Sequence, residues 1–164
     1  SEIYATEAIA LAQRWLPLAV TDGTDLEARS RMMFAAHLAG LALTRSGLGL
    51  VHGIAHSLSL HCRAPHGLAL SAVLPAVVEF SLCCEPDAYD RLAGVMSVAN
   101  RTGLPEALHT FVDQVGTAVT IGDLGACHDD REAMVVTSLA DPVTMNTPRI
   151  PTDNELDGLL RRCW

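Results

Sequence analysis

The chain is expected to fold as an all-α, multi-helix domain, and three features of its sequence point there. Apolar residues recur at close to a 3.6-residue spacing along almost the whole length. No alternating strand pattern of convincing length occurs; Thr117 to Ile121 is the single β-branched cluster, and it is short. Aromatic residues make up only 4% of the composition, so Ala, Leu and Val must build the core, and small side chains favour closely packed helices.

The elements follow in order. Ile3, Ala5, Ala8, Ile9, Ala12, Trp15, Leu16 and Ala19 mark a first helix over 3–20, with Pro17 expected to end or kink it. Thr21 to Asp25 reads as a turn, and Thr24 with Glu27 has the spacing of a capping box. A second helix is expected from about 25 to 45. It is apolar nearly all round, which places it at the centre of the domain. Ser46-Gly47-Leu48-Gly49 breaks it. A third helix runs from about 50 to 61, and Pro65 then suits the first turn of a fourth, 66–83, kinked at Pro75. Pro86 opens a helix to about 100, and Leu104-Pro105-Glu106 one to about 115. Asp129 or Asp130 can cap a helix to about 140. Pro142, Pro148 and Pro151 mark an irregular stretch before a last helix to about 162, capped by Thr152 with Glu155. No internal repeat or low-complexity linker interrupts the 164 residues.

Composition narrows the function. Hydrophobic residues are 49% and charged residues 18%, enough for a sizeable core and against disorder. The net charge is −8 with no basic block, so nucleic-acid binding lacks its electrostatic driving force. All 11 basic residues are arginine, which excludes P-loop and Schiff-base lysine chemistry within this chain. No run of 18 apolar residues predicts a membrane span, and no basic, then apolar, leader is visible. Cys62, Cys83, Cys84, Cys127 and Cys163 lack C-x-x-C spacing and are expected as free, buried thiols in the cytoplasm.

Four of the seven histidines fall between residues 52 and 66. His52 and His56 are one helical turn apart on one face, and a chain reversal at Pro65 can return His66 to His52 through a short loop. Imidazole is a common ligand of first-row transition metals. The simpler alternative is a pair of packed or capping histidines, and the absence of the zincin glutamate argues against a zinc protease. His61 lies on another face and reads as a surface residue; His37, in the apolar second helix, reads as a hydrogen-bonded core residue.

Gly47-Leu48-Gly49-Leu50-Val51-His52-Gly53-Ile54-Ala55-His56, followed by Ala64-Pro65-His66-Gly67, resembles the signature of the iron-containing (group III) alcohol dehydrogenases. The likeness extends to Leu16 to Val20, Asp22 to Arg29, Leu74 to Phe80, Ala140-Asp141 and Asn146 to Arg149. Ser59 stands where relatives carry glycine, and Thr147 interrupts the family's Asn-Pro-Arg element.

This resemblance implies a C-terminal helical domain spanning 1–164, with the family's nucleotide-binding α/β domain absent. It implies His52 and His66 as metal ligands. It places His56 beside metal and nicotinamide, in a catalytic and cofactor-contacting role. The family's other two ligands, an Asp-x-x-x-His pair, have no counterpart in this chain. The implied cofactors are Fe²⁺, with Zn²⁺ a second possible occupant, and NAD(P). The implied reaction interconverts a primary alcohol and an aldehyde. Two ligands and no nucleotide domain predict an inactive isolated chain, and a bared apolar face predicts a homo-oligomer. The competing reading is a non-catalytic helical assembly module derived from the same family. A small helical hydrolase has little support, because no nucleophile accompanies the histidines.

Overall fold

A computed structural model describes residues 1–164 and contains eight α-helices and no strand. In chain order these are α1 (Glu2–Thr21), α2 (Leu26–Ser46), α3 (Leu50–Cys62), α4 (His66–Ser81), α5 (Pro86–Val95), α6 (Leu104–Gln114), α7 (Arg131–Ala140) and α8 (Asp153–Arg162). Short 3₁₀ turns at Arg101–Gly103, His128–Asp130 and Pro142–Asn146 join the later helices. The all-α expectation holds.

Two structural regions emerge. Helices α1 and α2 form a long antiparallel hairpin. The remainder packs around α3 and α4, whose Leu50, Ile54, Leu58, Val73 and Val77 meet Met134 of α7 and Leu156, Leu159 and Leu160 of α8. A smaller cluster of Val78, Ala93, Met96 and Leu104 ties α4 to α5 and α6, and Ile9 of α1 leans on it. The Gln13 amide donates to the Met96 carbonyl at 2.9 Å, a second link from hairpin to body.

Several local expectations need correction. Pro17 does not stop α1, which continues to Thr21. The cap of α2 is Asp25, whose carboxylate accepts from the Ala28 N–H at 3.0 Å. Thr24 instead donates to Asp22 through both its N–H and its hydroxyl, so the capping box with Glu27 does not form.

The placing of α2 is the largest departure. It is not central: its buried residues are Ala28, Ala35, Leu38 and Ala42, while Met33 is 74% and Phe34 51% exposed. Its buried stripe is mostly alanine because α1 presses closely against that side alone. His37 shares the open side and is exposed, so it is not a core histidine.

Further along, α4 runs through a buried Pro75, and α5 stops at Val95, short of the expected 100. There the chain turns through Ser97 in the left-handed region (φ 58°), and Asn100 caps the following 3₁₀ turn. Neither Asp129 nor Asp130 caps α7 with its side chain. The Thr152–Glu155 capping box of α8 is present in both directions. All five cysteines are free, but Cys163 alone is buried; Cys83 and Cys127 are exposed. Thr117 to Ile121 forms no strand, and Ile121 is buried with its N–H donating to the Cys163 carbonyl.

Candidate metal centre

The glycine-rich break after α2 sets the direction of α3. Gly47 closes α2 with φ 73°, a conformation that disfavours side chains, and a Cβ there would run into the Asn146 side chain. The chain then turns so that α2 and α3 meet at 103°. Gly49 precedes α3 and has no side chain to cap it. The cap comes from far away: the Leu50 N–H donates to the Thr147 hydroxyl at 2.7 Å. One turn on, Gly53 is buried against Thr144, and a Cβ would also approach the Ser138 carbonyl to 3.2 Å. The glycines around His52 therefore let α3 lie on the Pro142–Asn146 turn.

At its other end α3 closes through Arg63, in the left-handed region at φ 56°, and Pro65 leads into α4 at His66. This tight reversal carries His66 back to the start of α3. The His52 and His66 ring centres are 5.4 Å apart, those of His56 and His66 5.5 Å, and those of His52 and His56 6.0 Å. Three imidazoles from two helices thus meet at one spot. His66 is exposed and the other two are half-buried.

Their environments differ. Burial, and then the His66 and His56 rings, push the His52 pKa below its ordinary value. Its neutral, ligand-competent form is favoured. The Nδ1 of His56 is 2.7 Å from Asp141 Oδ2. The Val143 N–H and the His56 contact lower the Asp141 pKa, so it is a carboxylate and accepts while Nδ1–H donates. That bond fixes the ring and leaves Nε2 free to act on something else.

His61 is not a free surface residue: it is half-buried, with Nε2 3.2 Å from the Thr137 hydroxyl, away from the cluster. A cavity of about 430 Å³ opens beside His52, lined by Leu43, Leu70, Leu74, Tyr89 and Thr147 among others.

Fit to a metal can be tested on the two rings. Two imidazoles on one tetrahedral ion, with metal–nitrogen distances of about 2.1 Å, place their ring centres about 5 Å apart. The 5.4 Å between His52 and His66 agrees with that requirement. No group of three or more His, Cys, Asp or Glu side chains is arranged to hold an ion by itself. The two rings alone do not complete such a group.

Sequence reasoning named the three histidines but not Asp141, Thr144 or Thr147 as parts of the site. Asp141 had a signal, since Ala140-Asp141 belongs to the recognisable elements. Its partner, 85 residues away, could not be read from spacing. Thr147, which looked like a blemish in Asn146-Thr147-Pro148-Arg149, turns out to cap α3.

Known proteins share both the sequence pattern and the fold. The chain is 28% identical to the NAD-dependent methanol dehydrogenase of Bacillus methanolicus and 31% identical to the 1,3-propanediol dehydrogenase of Klebsiella pneumoniae, over 98% of its own length in each case. It spans 44% and 43% of those proteins, less than half of their length. The crystal structure of a 1,3-propanediol oxidoreductase superposes with a TM-score of 0.94 at 29% identity, covering 99% of this chain and 44% of that one. An alcohol dehydrogenase from Oenococcus oeni gives 0.91 at 30% identity, covering 97% and 44%. The model of the Fe-containing alcohol dehydrogenase family, C-terminal, matches residues 1–164, and the chain belongs to that family.

Proposed function

We propose that this chain is the metal-holding part of an iron-dependent, NAD(P)-linked alcohol dehydrogenase acting on a primary alcohol and its aldehyde. The observation that carries the reading is the 5.4 Å approach of His52, which lines a cavity, to His66. These two rings would hold Fe²⁺, or Zn²⁺ in its place, with the remaining ligands supplied from outside residues 1–164. The chemistry a bound ion supplies is Lewis-acid polarisation of the substrate oxygen, which favours hydride exchange with the nicotinamide.

This chain's own residues do three things. His52, held neutral, offers a lone pair without first losing a proton. His56, oriented by Asp141, presents Nε2 for hydrogen bonding to substrate or cofactor or for carrying a proton. Leu43, Leu70 and Leu74 give the cavity beside His52 an apolar lining.

Residues 1–164 alone should not turn over an alcohol. Two imidazoles bind an ion weakly, and losing the positioning of the hydride donor forfeits roughly 7–11 kcal/mol of barrier reduction. A second reading, a helical assembly module without catalysis, draws on the exposed Ile3, Leu18, Val20, Leu26, Met33 and Phe34 of the hairpin. A homo-oligomer fits either reading, and the free thiols suit a reducing compartment such as the cytoplasm.

Zinc titration followed by calorimetry tests the proposal. The wild-type chain should bind weakly and His52→Ala/His66→Ala should lose that binding. Equal heats from the two proteins would favour the assembly module.

A further inference from the structure

A second cluster of reactive side chains lies at the far end of α4, outside the histidine site. Cys83 and Cys84 follow its last turn with their sulfurs 3.9 Å apart. The Cys83 side is open to solvent and Cys84 is half-buried. The Arg149 guanidinium stands beside both thiols and is itself fixed. Nη1 bonds Glu155 at 2.5 Å, the group lies 3.7 Å over the Phe80 ring, and its buried Nε has no hydrogen-bond partner.

Two familiar fates of a cysteine pair fit poorly. Neighbouring residues hold their Cα atoms about 3.8 Å apart, closer than the roughly 4.4–6.8 Å that disulfides occupy, so a bond between the two sulfurs would strain the chain. A divalent cation would need both thiols deprotonated and would then sit against the positive Arg149. Burial, and then the adjacent Cys83 thiol, keep Cys84 above its ordinary pKa, which favours its thiol form. A neutral reagent that removes the two protons itself meets neither obstacle. The sulfurs, 3.9 Å apart, need to close only slightly, by rotation about the side-chain bonds, to meet on one pyramidal trivalent centre.

We propose that Cys83 and Cys84 form a bidentate capture site for neutral trivalent thiophiles of the arsenous acid or organic arsenoxide class. The reaction is a condensation. With an arsenoxide, both S–H bonds and the arsenic–oxygen bond break, two arsenic–sulfur bonds form, and the protons leave with the oxygen as one water; with arsenous acid, two arsenic–hydroxyl bonds break and each hydroxyl leaves with one thiol proton, as two waters. Arsenic stays trivalent and no electron is transferred. Tyr89, close to Cys84, also lines the cavity beside His52, so the captured group would abut that cavity.

Phenylarsine oxide and intact-mass spectrometry test this. The full chain should gain one phenylarsenic per molecule with loss of water. The adduct should resist excess monothiol and be removed by a dithiol. Cys83→Ser and Cys84→Ser should each abolish the monothiol-resistant adduct, whereas Cys127→Ser, which removes the other exposed thiol, and His52→Ala/His66→Ala should keep it. Circular dichroism identical to the parent excludes misfolding of the serine variants. A monothiol-resistant adduct that survives in Cys84→Ser, or that disappears in Cys127→Ser, would overturn the assignment.

Discussion

Helices α2 and α3 follow one another in the chain and are both rich in apolar residues, yet they lead opposite lives. The 21 residues of α2 bury four, three of them alanine. The 13 residues of α3 bury six, including Leu50, Ile54 and Leu58. The difference lies in what surrounds each helix. Helix α3 is enclosed by α4, α7, α8 and the Pro142–Asn146 turn, whereas α2 has α1 on one side and solvent on the other. An apolar composition says that a helix has something to cover, and neighbours decide whether it is covered.

Truncation of a large side chain should separate the two regions most strongly. Leu58 is 0% exposed, and Leu58→Ala should cost about 2–5 kcal/mol in urea denaturation. Phe34→Ala, in α2, should fall within about 0.5 kcal/mol of the parent. Similar losses at both positions would mean that the hairpin is packed against something in solution, and sedimentation would then show an oligomer that Phe34→Ala weakens.

Glycines sharpen the same contrast with opposite signs. Gly53→Ala forces a methyl group against Thr144 and the Ser138 carbonyl and should cost about 1–3 kcal/mol. Gly40→Ala, inside α2 with nothing within 4 Å of the new methyl, should stabilise by about 0.5–1 kcal/mol. Thermal melts of the two variants should move in opposite directions.

Much of this was legible from residue order, and the failures have a common cause. Helix existence and the Thr152–Glu155 cap are local, written in 3.6-residue spacing and a four-residue pattern. The meeting of His52 and His66 was also local, since fourteen residues and one proline reversal bring the rings together. What could not be read was long-range. The exposed position of His37 depends on which side of α2 meets α1, the cap of α3 on Thr147, and the ring of His56 on Asp141. Each pairs residues whose separation in the chain carries no pattern.

The caps make the next test. Thr147→Val removes the acceptor for the Leu50 N–H while keeping the side chain's shape, and should cost about 0.5–2 kcal/mol. Asp25→Ala removes the corresponding cap of α2, with a cost in the same range. The two should differ in reach. Hydrogen exchange should speed only at the start of α2 for Asp25→Ala, but at both the start of α3 and the Pro142–Asn146 turn for Thr147→Val. Exchange confined to α3 in the second variant would show that the turn holds without this bond.

Acid gives the finest distinction, because each region has a carboxylate with a depressed pKa. Glu155 is lowered from 4.5 to about 2, first by the Thr152 N–H and then by Arg149. Asp22 is lowered by the Thr24 hydroxyl and N–H. In both cases the folded form holds its proton less tightly than the unfolded chain, so the stabilisation is present above the unfolded pKa and fades as pH falls. For Glu155 the window runs from about 4.5 down to about 2. Glu155 joins the first turn of α8 to Arg149, and through it to Phe80 of α4, whereas Asp22 ties together only its own turn. Glu155→Gln should therefore flatten the acid limb of the stability curve more than Asp22→Asn does. The reverse order in acid denaturation would place the acid-sensitive contact in the hairpin instead of the body.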